Sequence, residues 1–168
     1  ENHKRGNDSR WPAGLPSSGD AQLLFMQSAI DKMDDEHGRA AIITNGSPLF
    51  NGGVSSGESQ IRRWLLENDL IEAIIAMPTE LFYNTGIATY VWILSKNKRQ
   101  ERIGKIQLID ATEIYHTLRK SLGNKRKEFT AEDRKTITKL YSDFVENDKS
   151  KIYDNEEFIY REYTVMQP

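Results

Sequence analysis

The decisive stretch of this sequence is Glu80-Leu-Phe-Tyr-Asn-Thr-Gly-Ile-Ala-Thr-Tyr-Val-Trp-Ile-Leu-Ser-Lys96. Its first half joins an aromatic pair, Phe82 and Tyr83, to a Thr85-Gly86 turn, and its second half is mostly apolar. Short apolar runs between turn residues are typical of buried strands. The stretch therefore predicts a binding loop that is held by a buried strand.

Two further apolar runs precede this stretch, at residues 40–44 and 70–77. Between them, residues 58–68 have the apolar stripe of an amphipathic helix. A strand–helix–strand order predicts a right-handed crossover and parallel pairing of the two strands. Because the connection after residue 77 is short, the third strand, at 87–95, is expected to return antiparallel. The pattern predicts an α/β fold.

The remaining elements are predicted from periodicity and turn residues. We expect an irregular segment at residues 1–19, a helix that Asp20 caps and Gly38 follows, and a strand at 105–110. Beyond it we expect a short helix through Ile114, Leu118 and Leu122, a longer helix after the cap at Thr130, and a short strand at 158–164.

The composition excludes several classes of protein. The 168 residues have a mean hydropathy of −0.65 and no apolar run near the ~20 residues that span a bilayer, which excludes a membrane protein. The absence of cysteine excludes disulfides and thiolate zinc sites and fits a cytoplasmic protein. The three histidines have no metal-ligand spacing, so we predict no metal site.

Charge is divided unevenly along the chain. Residues 1–95 carry 7 basic and 12 acidic side chains, residues 96–127 carry 10 and 3, and residues 128–168 carry 6 and 10. The basic segment follows the Phe82 loop and includes Lys125, Arg126 and Lys127, which are candidates for contacts with nucleic-acid phosphates. The alternative is a solvated, lysine-rich connection without a ligand.

Three motifs carry a resemblance to a known family. They are Asn45-Gly-Ser-Pro-Leu-Phe50, Ile61-Arg-Arg-Trp-Leu-Leu-Glu-Asn-Asp-Leu-Ile-Glu-Ala-Ile-Ile75 and Leu81-Phe-Tyr-Asn-Thr-Gly86. With them the chain resembles the modification subunit of type I restriction–modification systems, an adenine-N6 DNA methyltransferase. The resemblance implies the second half of a Rossmann-like, S-adenosylmethionine-dependent methyltransferase sheet at residues 20–110, followed by a helical extension and tail at 111–168.

The resemblance also implies roles for the residues of the loop. A base whose exocyclic amine is methylated must leave the duplex and pack between aromatic or apolar groups. By resemblance, Phe82 packs against the extruded adenine and Tyr83 is the alternative stacking residue, while Thr85 and Gly86 shape the loop, with Gly86 suited to a positive φ. The alternative for Phe82 is a ring that only closes the end of the sheet.

Asn45 follows the first strand of the predicted sheet and leaves two interpretations open. The residue borders a nucleotide or cofactor pocket, or it only shapes a strand-to-helix connection through local hydrogen bonds.

Other features of the resembled family are missing from these 168 residues. There is no Asn-Pro-Pro-aromatic motif and no Gly-x-Gly, so we assign no catalytic residue and expect the isolated chain neither to bind S-adenosylmethionine well nor to transfer methyl groups. By resemblance, the partners are double-stranded DNA, a specificity subunit and a restriction subunit. The alternative function is a protein-interaction module that uses the helix near residues 136–144 and the aromatic tail.

Overall fold

The computed structural model describes residues 10–160, 163 and 165. The helices are α1 (Gln22–Lys32), α2 (Ser47–Phe50), α3 (Gly57–Glu67) and α4 (Ala131–Asp143), with 3₁₀ turns at Gln100–Arg102 and Asn155–Phe158. The strands are β1 (Arg39–Thr44), β2 (Ile71–Met77), β3 (Thr89–Ser95), β4 (Lys105–Asp110), β5 (His116–Leu122), β6 (Lys125–Glu128) and β7 (Ser150–Asp154). These elements confirm a mixed α/β fold.

Five strands form one mixed sheet in the order β1-β3-β2-β4-β7, and β5 and β6 form a separate hairpin. In the sheet, β3 is antiparallel to both β1 and β2, as expected from the short connection, and β2 is parallel to β4. The predicted pairing of β1 with β2 is wrong, although the two strands run in the same direction. The connection through α3 leaves space for one strand between β1 and β2. Strand β3 lies in this space, and its side chains Trp92 and Leu94 are fully buried.

The larger apolar core lies between the sheet and the helices α1 and α3. Leu23, Met26 and Ile30 of α1 meet Ile61 and Leu65 of α3 over Trp92 of β3. The stripes that periodicity predicts on both helices are therefore the buried ones. Burial of such side chains stabilises the fold by roughly 1.5–3 kcal/mol each.

Helix α4 covers the opposite face through a buried charge network. Glu72 of β2 is 1% exposed and Arg102 is 2% exposed, and their charged groups lie 3.8 Å apart. Tyr141 of α4 donates a hydrogen bond from its hydroxyl to Glu72 over 2.8 Å, and the Arg102 guanidinium lies 4.3 Å from the Tyr141 ring. Arg39 also contacts Glu72 and the Tyr141 hydroxyl. Because a buried charge must be paired, this network fixes the position of α4.

The segment after residue 110 differs from the expected helical extension. The predicted short helix through Ile114, Leu118 and Leu122 is wrong: β5 and β6 form a hairpin there. A spacing of four residues fits the period of a strand as well as that of a helix, and the Gly123-Asn124 turn favours the hairpin. The helix after Thr130 is confirmed as α4, with Thr130 and Asp133 in a reciprocal capping box.

The end of the chain also departs from the expected pattern. Strand β7 pairs with β4, so residues beyond 110 extend the central sheet. Phe158 ends a 3₁₀ turn instead of beginning a strand, and the rest of the strand predicted at 158–164 includes residues 161, 162 and 164, which lie outside the described part. No helix in the described ranges has the length and apolar character that a membrane span requires.

Candidate functional site: an aromatic loop beside a basic hairpin

Residues 78–88 connect β2 to β3, and we call them the aromatic loop. The loop lies at the edge of the sheet where β1 and β2 end, because the two strands run in the same direction. The carboxyl ends of strands in open α/β sheets are the usual location of ligand sites. The position of the loop therefore suits a binding role.

The two aromatic rings differ in exposure. Phe82 is half-buried and pairs with Thr85 across a tight turn, whereas Tyr83 is 68% exposed. The loop thus presents at least one ring to solvent beside a second that is anchored in the fold.

A groove of about 1670 Å³ runs between α3 and the strands β2, β4 and β7. Neither Phe82 nor Tyr83 lines it. The aromatic loop and this groove are therefore different surfaces of the molecule.

The turn residues of the loop behave differently from one another. Thr85 accepts a 3.3 Å hydrogen bond at its Oγ1 from the Ile87 N–H. Gly86 does not adopt a left-handed φ, so the expectation of a positive φ there is wrong. The left-handed residue of the loop is Glu80, at φ 60°. The strained backbone of this loop is therefore at Glu80, near its beginning, and the residue type did not predict it.

The hairpin of β5 and β6, residues 116–128, lies directly against the aromatic loop, and we call it the basic hairpin. The Tyr83 carbonyl accepts a 2.9 Å hydrogen bond from the Asn124 N–H. The Glu80 carbonyl accepts bonds from the N–H groups of Arg126 (2.9 Å) and Lys127 (3.2 Å). The structure thus brings the predicted aromatic and basic residues together.

Two of the three predicted phosphate-binding side chains have partners within the fold. The Arg126 guanidinium lies 3.4 Å from a Glu80 carboxylate oxygen, and Lys127 Nζ lies 4.0 Å from the centre of the Tyr115 ring. Across the described ranges, the charged groups of Lys125, Arg119 and Lys120 contact no carboxylate and no ring. The last two were missed by sequence reasoning, which placed them in a helix. The Gly123-Asn124 pair is the signal that would have placed them on a hairpin.

Asn45 lies at the same edge of the sheet, at the end of β1. Its side-chain oxygen accepts hydrogen bonds from the Ser47 N–H (2.8 Å) and from Gln22 Nε2 (2.9 Å), and its own N–H donates to Gln22 Oε1 (3.0 Å). The Asn45 amide therefore joins α1 to the loop before α2.

The described part of the chain offers binding groups at this edge rather than acid–base groups. The Glu80 carboxylate is paired with Arg126, and hydrogen bonds from Thr112 lower the pKa of Asp110 at the end of β4. The lowered pKa of Asp110 favours its ionised form. In the described residues, no three His, Asp or Glu side chains form a group that holds a metal ion.

Comparisons with known proteins match this chain to DNA methylase subunits. The sequence profile of the N-6 DNA Methylase family matches residues 1–167. The type I restriction enzyme HindI methylase subunit of Haemophilus influenzae is 31% identical over 132 residues, which are 79% of this chain and 28% of the relative. The MjaVIII methylase subunit of Methanocaldococcus jannaschii is 34% identical over 153 residues, which are 90% of this chain and 25% of the relative.

A solved structure shows the same fold. The type I restriction–modification system methyltransferase subunit from Streptococcus thermophilus superposes with a TM-score of 0.78 at 25% identity, over 90% of this chain and 30% of that one. The chain thus spans less than a third of the length of each of these relatives.

Proposed function

Because the chain belongs to the N-6 DNA Methylase family, we propose that it is the carboxyl-terminal part of the catalytic domain of a type I modification subunit. In this proposal the whole subunit transfers a methyl group from S-adenosylmethionine to adenine N6 in double-stranded DNA in the cytoplasm. Residues 20–110 are the second half of its Rossmann-like core, and residues 111–168 add the basic hairpin, α4 and the edge strand β7 to it. Support comes from the aromatic loop at the carboxyl edge of the sheet.

We assign the stacking of the extruded adenine to Phe82 and Tyr83. Tyr83 is 68% exposed, so a base can cover its ring without displacing core residues. The backbone of half-buried Phe82 pairs with that of Thr85, which limits the backbone entropy that the loop loses on binding. Stacking of a base on an aromatic side chain contributes about 1–3 kcal/mol.

The test replaces each ring in the intact subunit assembled with its specificity subunit. Phe82→Ala and Tyr83→Ala should each lower kcat/KM by about 5- to 150-fold, the equivalent of 1–3 kcal/mol. They should also reduce the fluorescence increase of 2-aminopurine placed at the target adenine. Phe25→Ala is the matched control, because this ring on α1 is 65% exposed. Kinetics equal to wild type in both loop variants would remove the assignment.

We assign phosphate contacts to Lys125, Arg126 and Lys127. The charged group of Lys125 contacts no carboxylate and no ring among the described residues, which makes it the first candidate, while Arg126 and Lys127 contact Glu80 and Tyr115. Charge reversal of Lys125 and Lys127 to Glu should weaken DNA binding and reduce its dependence on salt concentration. A salt slope unchanged from wild type would favour the solvated-connection alternative.

The cofactor requires groups that the described residues do not supply. Asn45, the polar candidate at the strand end, already has its side-chain oxygen bonded to Ser47 and Gln22. Since Asn-Pro-Pro-aromatic and Gly-x-Gly motifs are missing from the 168 residues, we assign binding of S-adenosylmethionine to other parts of the subunit. The isolated chain should show no methylation above background, and a rate comparable to the intact enzyme would contradict this.

A second candidate function is the docking of partner subunits. The groove beside α3 is rimmed by exposed apolar side chains, with Phe50 at 73%, Ile159 at 68% and Tyr160 at 62% exposure. Exposed apolar patches of this kind are typical of protein interaction sites. Ile159→Asp with Tyr160→Asp should weaken assembly with the specificity or restriction subunit in gel filtration, and unchanged assembly would exclude this surface.

A further inference from the structure

The aromatic loop and the basic hairpin are joined by backbone atoms. Three hydrogen bonds of 2.9–3.2 Å connect the carbonyls of Glu80 and Tyr83 to the amides of Asn124, Arg126 and Lys127. Such bonds fix distance and direction together. A movement of β6 therefore moves the segment that carries both aromatic rings.

The turn of the basic hairpin packs closely against Tyr83. Gly123 has a φ of 61°, and a Cβ at this position would lie 2.7 Å from the Tyr83 carbonyl oxygen and 3.2 Å from its ring. A residue with a side chain would be strained by the backbone angle and would displace Tyr83. This position needs glycine for both reasons.

Glu80 is the residue of the aromatic loop that accepts two of these three hydrogen bonds. Its φ of 60° costs a non-glycine residue about 1–2 kcal/mol, and such strain persists only where the surroundings impose it. Two amides bind its carbonyl, and Arg126 pairs with its carboxylate. The strained conformation is therefore held by the basic hairpin.

The outer side chains of the basic hairpin are available to a polyanion. Arg119, Lys120 and Lys125 contact no carboxylate among residues 10–160, 163 and 165, and Arg119 and Lys120 are exposed. The carboxylate of Glu80, at the contact between the aromatic loop and the hairpin, is paired with Arg126. Positively charged side chains that contact no carboxylate among the described residues thus lie on the same hairpin that is hydrogen-bonded to the aromatic loop.

We propose that the basic hairpin binds DNA phosphates through Arg119, Lys120 and Lys125 and thereby sets the position of Phe82 and Tyr83. Glu80 and Gly123 are positioning residues, which act through the loop and do not touch DNA. The inference rests on the proposed function, because it takes the aromatic loop as the site of the extruded base. It adds that binding of the DNA backbone by the hairpin and stacking of the base on the loop are coupled through the hydrogen bonds between these two segments.

The first test compares two glycines in the intact enzyme. Gly123→Ala should lower kcat about 10-fold, because a displacement of ~1 Å at a reacting centre costs up to 100-fold. It should change the Kd for DNA less than about threefold, since no cation is removed. The control is Gly104→Ala: Gly104 also has a positive φ, 71°, but no atom lies within 4 Å of an added Cβ.

The outcomes separate the two proposals. If wild type methylates and Gly123→Ala is no slower than Gly104→Ala, the coupling is overturned while the proposed function stands. If wild type extrudes no base at the target site, the proposed function itself fails. Should hydrogen exchange show that Gly123→Ala has lost the hairpin, the triple variant Arg119→Gln, Lys120→Gln and Lys125→Gln decides, because it keeps all three backbone bonds and removes only the proposed phosphate contacts. A lower 2-aminopurine signal at saturating DNA supports the coupling, and the wild-type signal overturns it.

The second test measures the phosphate contacts. Reversal of Arg119, Lys120 and Lys125 to Glu should reduce the slope of log Kd against log salt by about three, since each phosphate that a cation neutralises adds roughly 0.9 to the slope. The control has the same charge change on other surfaces, with Lys32, Arg63 and Lys135 reversed to Glu. An equal reduction in both triple variants would show a general charge effect and overturn the assignment.

Discussion

The five-stranded sheet and the basic hairpin are stabilised by different interactions. In the sheet, Trp92 of β3 packs against Met26 of α1 and Leu65 of α3, and all three side chains are 0–1% exposed. In the basic hairpin, six of the seven β5 residues are exposed, and its position depends on backbone hydrogen bonds and the space at Gly123. Small shifts of the hairpin should therefore leave the sheet unchanged. The aromatic loop is attached to both, because it connects β2 to β3 and is hydrogen-bonded to the hairpin.

The difference predicts where substitutions affect stability and where they affect function. Substitutions in the sheet should shift the global unfolding free energy. Substitutions at the hairpin should change local opening and the handling of DNA, because regions with few buried contacts open independently of the core.

The largest expected effect comes from Trp92. Its side chain is 1% exposed, and its Nε1–H donates a 3.0 Å hydrogen bond to Thr44 Oγ1. Trp92→Ala should cost about 3–5 kcal/mol in urea unfolding. Trp64→Ala, at a half-buried position on α3, should cost less. An equal loss at both positions would show that burial does not determine stability here.

A slightly smaller loss should follow at the charge network under α4. Glu72→Gln leaves the buried guanidinium of Arg102 without its counter-charge, which we expect to cost about 3 kcal/mol. Tyr141→Phe leaves every charge paired and removes only the hydroxyl's contacts with Glu72 and Arg39, so it should cost less, about 1–2 kcal/mol. Thermal unfolding of both variants tests the ranking, and the reverse order would contradict the assigned roles.

Acid should weaken the contact between residue 17 and α3. Hydrogen bonds from Ser17 lower the pKa of Glu58 from 4.5 to about 2, and the Ser17 N–H lies 2.8 Å from its carboxylate. A depressed carboxylate pKa stabilises the fold fully above pH 4.5, and this contribution is lost as the pH falls from 4.5 towards 2. The loss should reach about 2 kcal/mol. Glu58→Gln should flatten the pH profile of stability in that range, and an unchanged slope would contradict the assignment.

The smallest effect is expected at the hairpin. Tyr115→Leu removes the contact with Lys127 Nζ, worth about 0.5–1 kcal/mol. Amide exchange at residues 116–128 should become faster, while the urea midpoint of the whole chain stays nearly constant. A shift of the global midpoint as large as the local change would show that the hairpin and the sheet unfold together.

Hydrophobic periodicity predicted most of the central fold. It placed the helices near residues 22–32 and 57–67 and the strands near 39–44, 71–77, 89–95 and 105–110, although in the first of these strands Ile43 is 53% exposed. It failed at Ile114, Leu118 and Leu122, because a four-residue spacing fits both a helix and a strand. It also gave no sign of β7, a short strand with only one fully buried residue, Ser150.

The candidate site was predicted only in its parts. Phe82, Tyr83 and the basic residues 125–127 were identified from residue type, but their proximity was not. Residues 83 and 124 are joined through a carbonyl and an amide, which every residue except proline possesses, so no side-chain pattern records the contact. The expected positive φ at Gly86 is located instead at Glu80, where neighbouring amides impose it.

By itself, the sequence determined the apolar elements, the aromatic loop and the likeness to DNA methylase subunits, because these depend on residue type and local spacing. Only the tertiary structure decided that β3 lies between β1 and β2 and that the turn of the basic hairpin packs against Tyr83. Both depend on contacts between distant backbone segments, whose geometry is set by packing and hydrogen bonding of the whole fold.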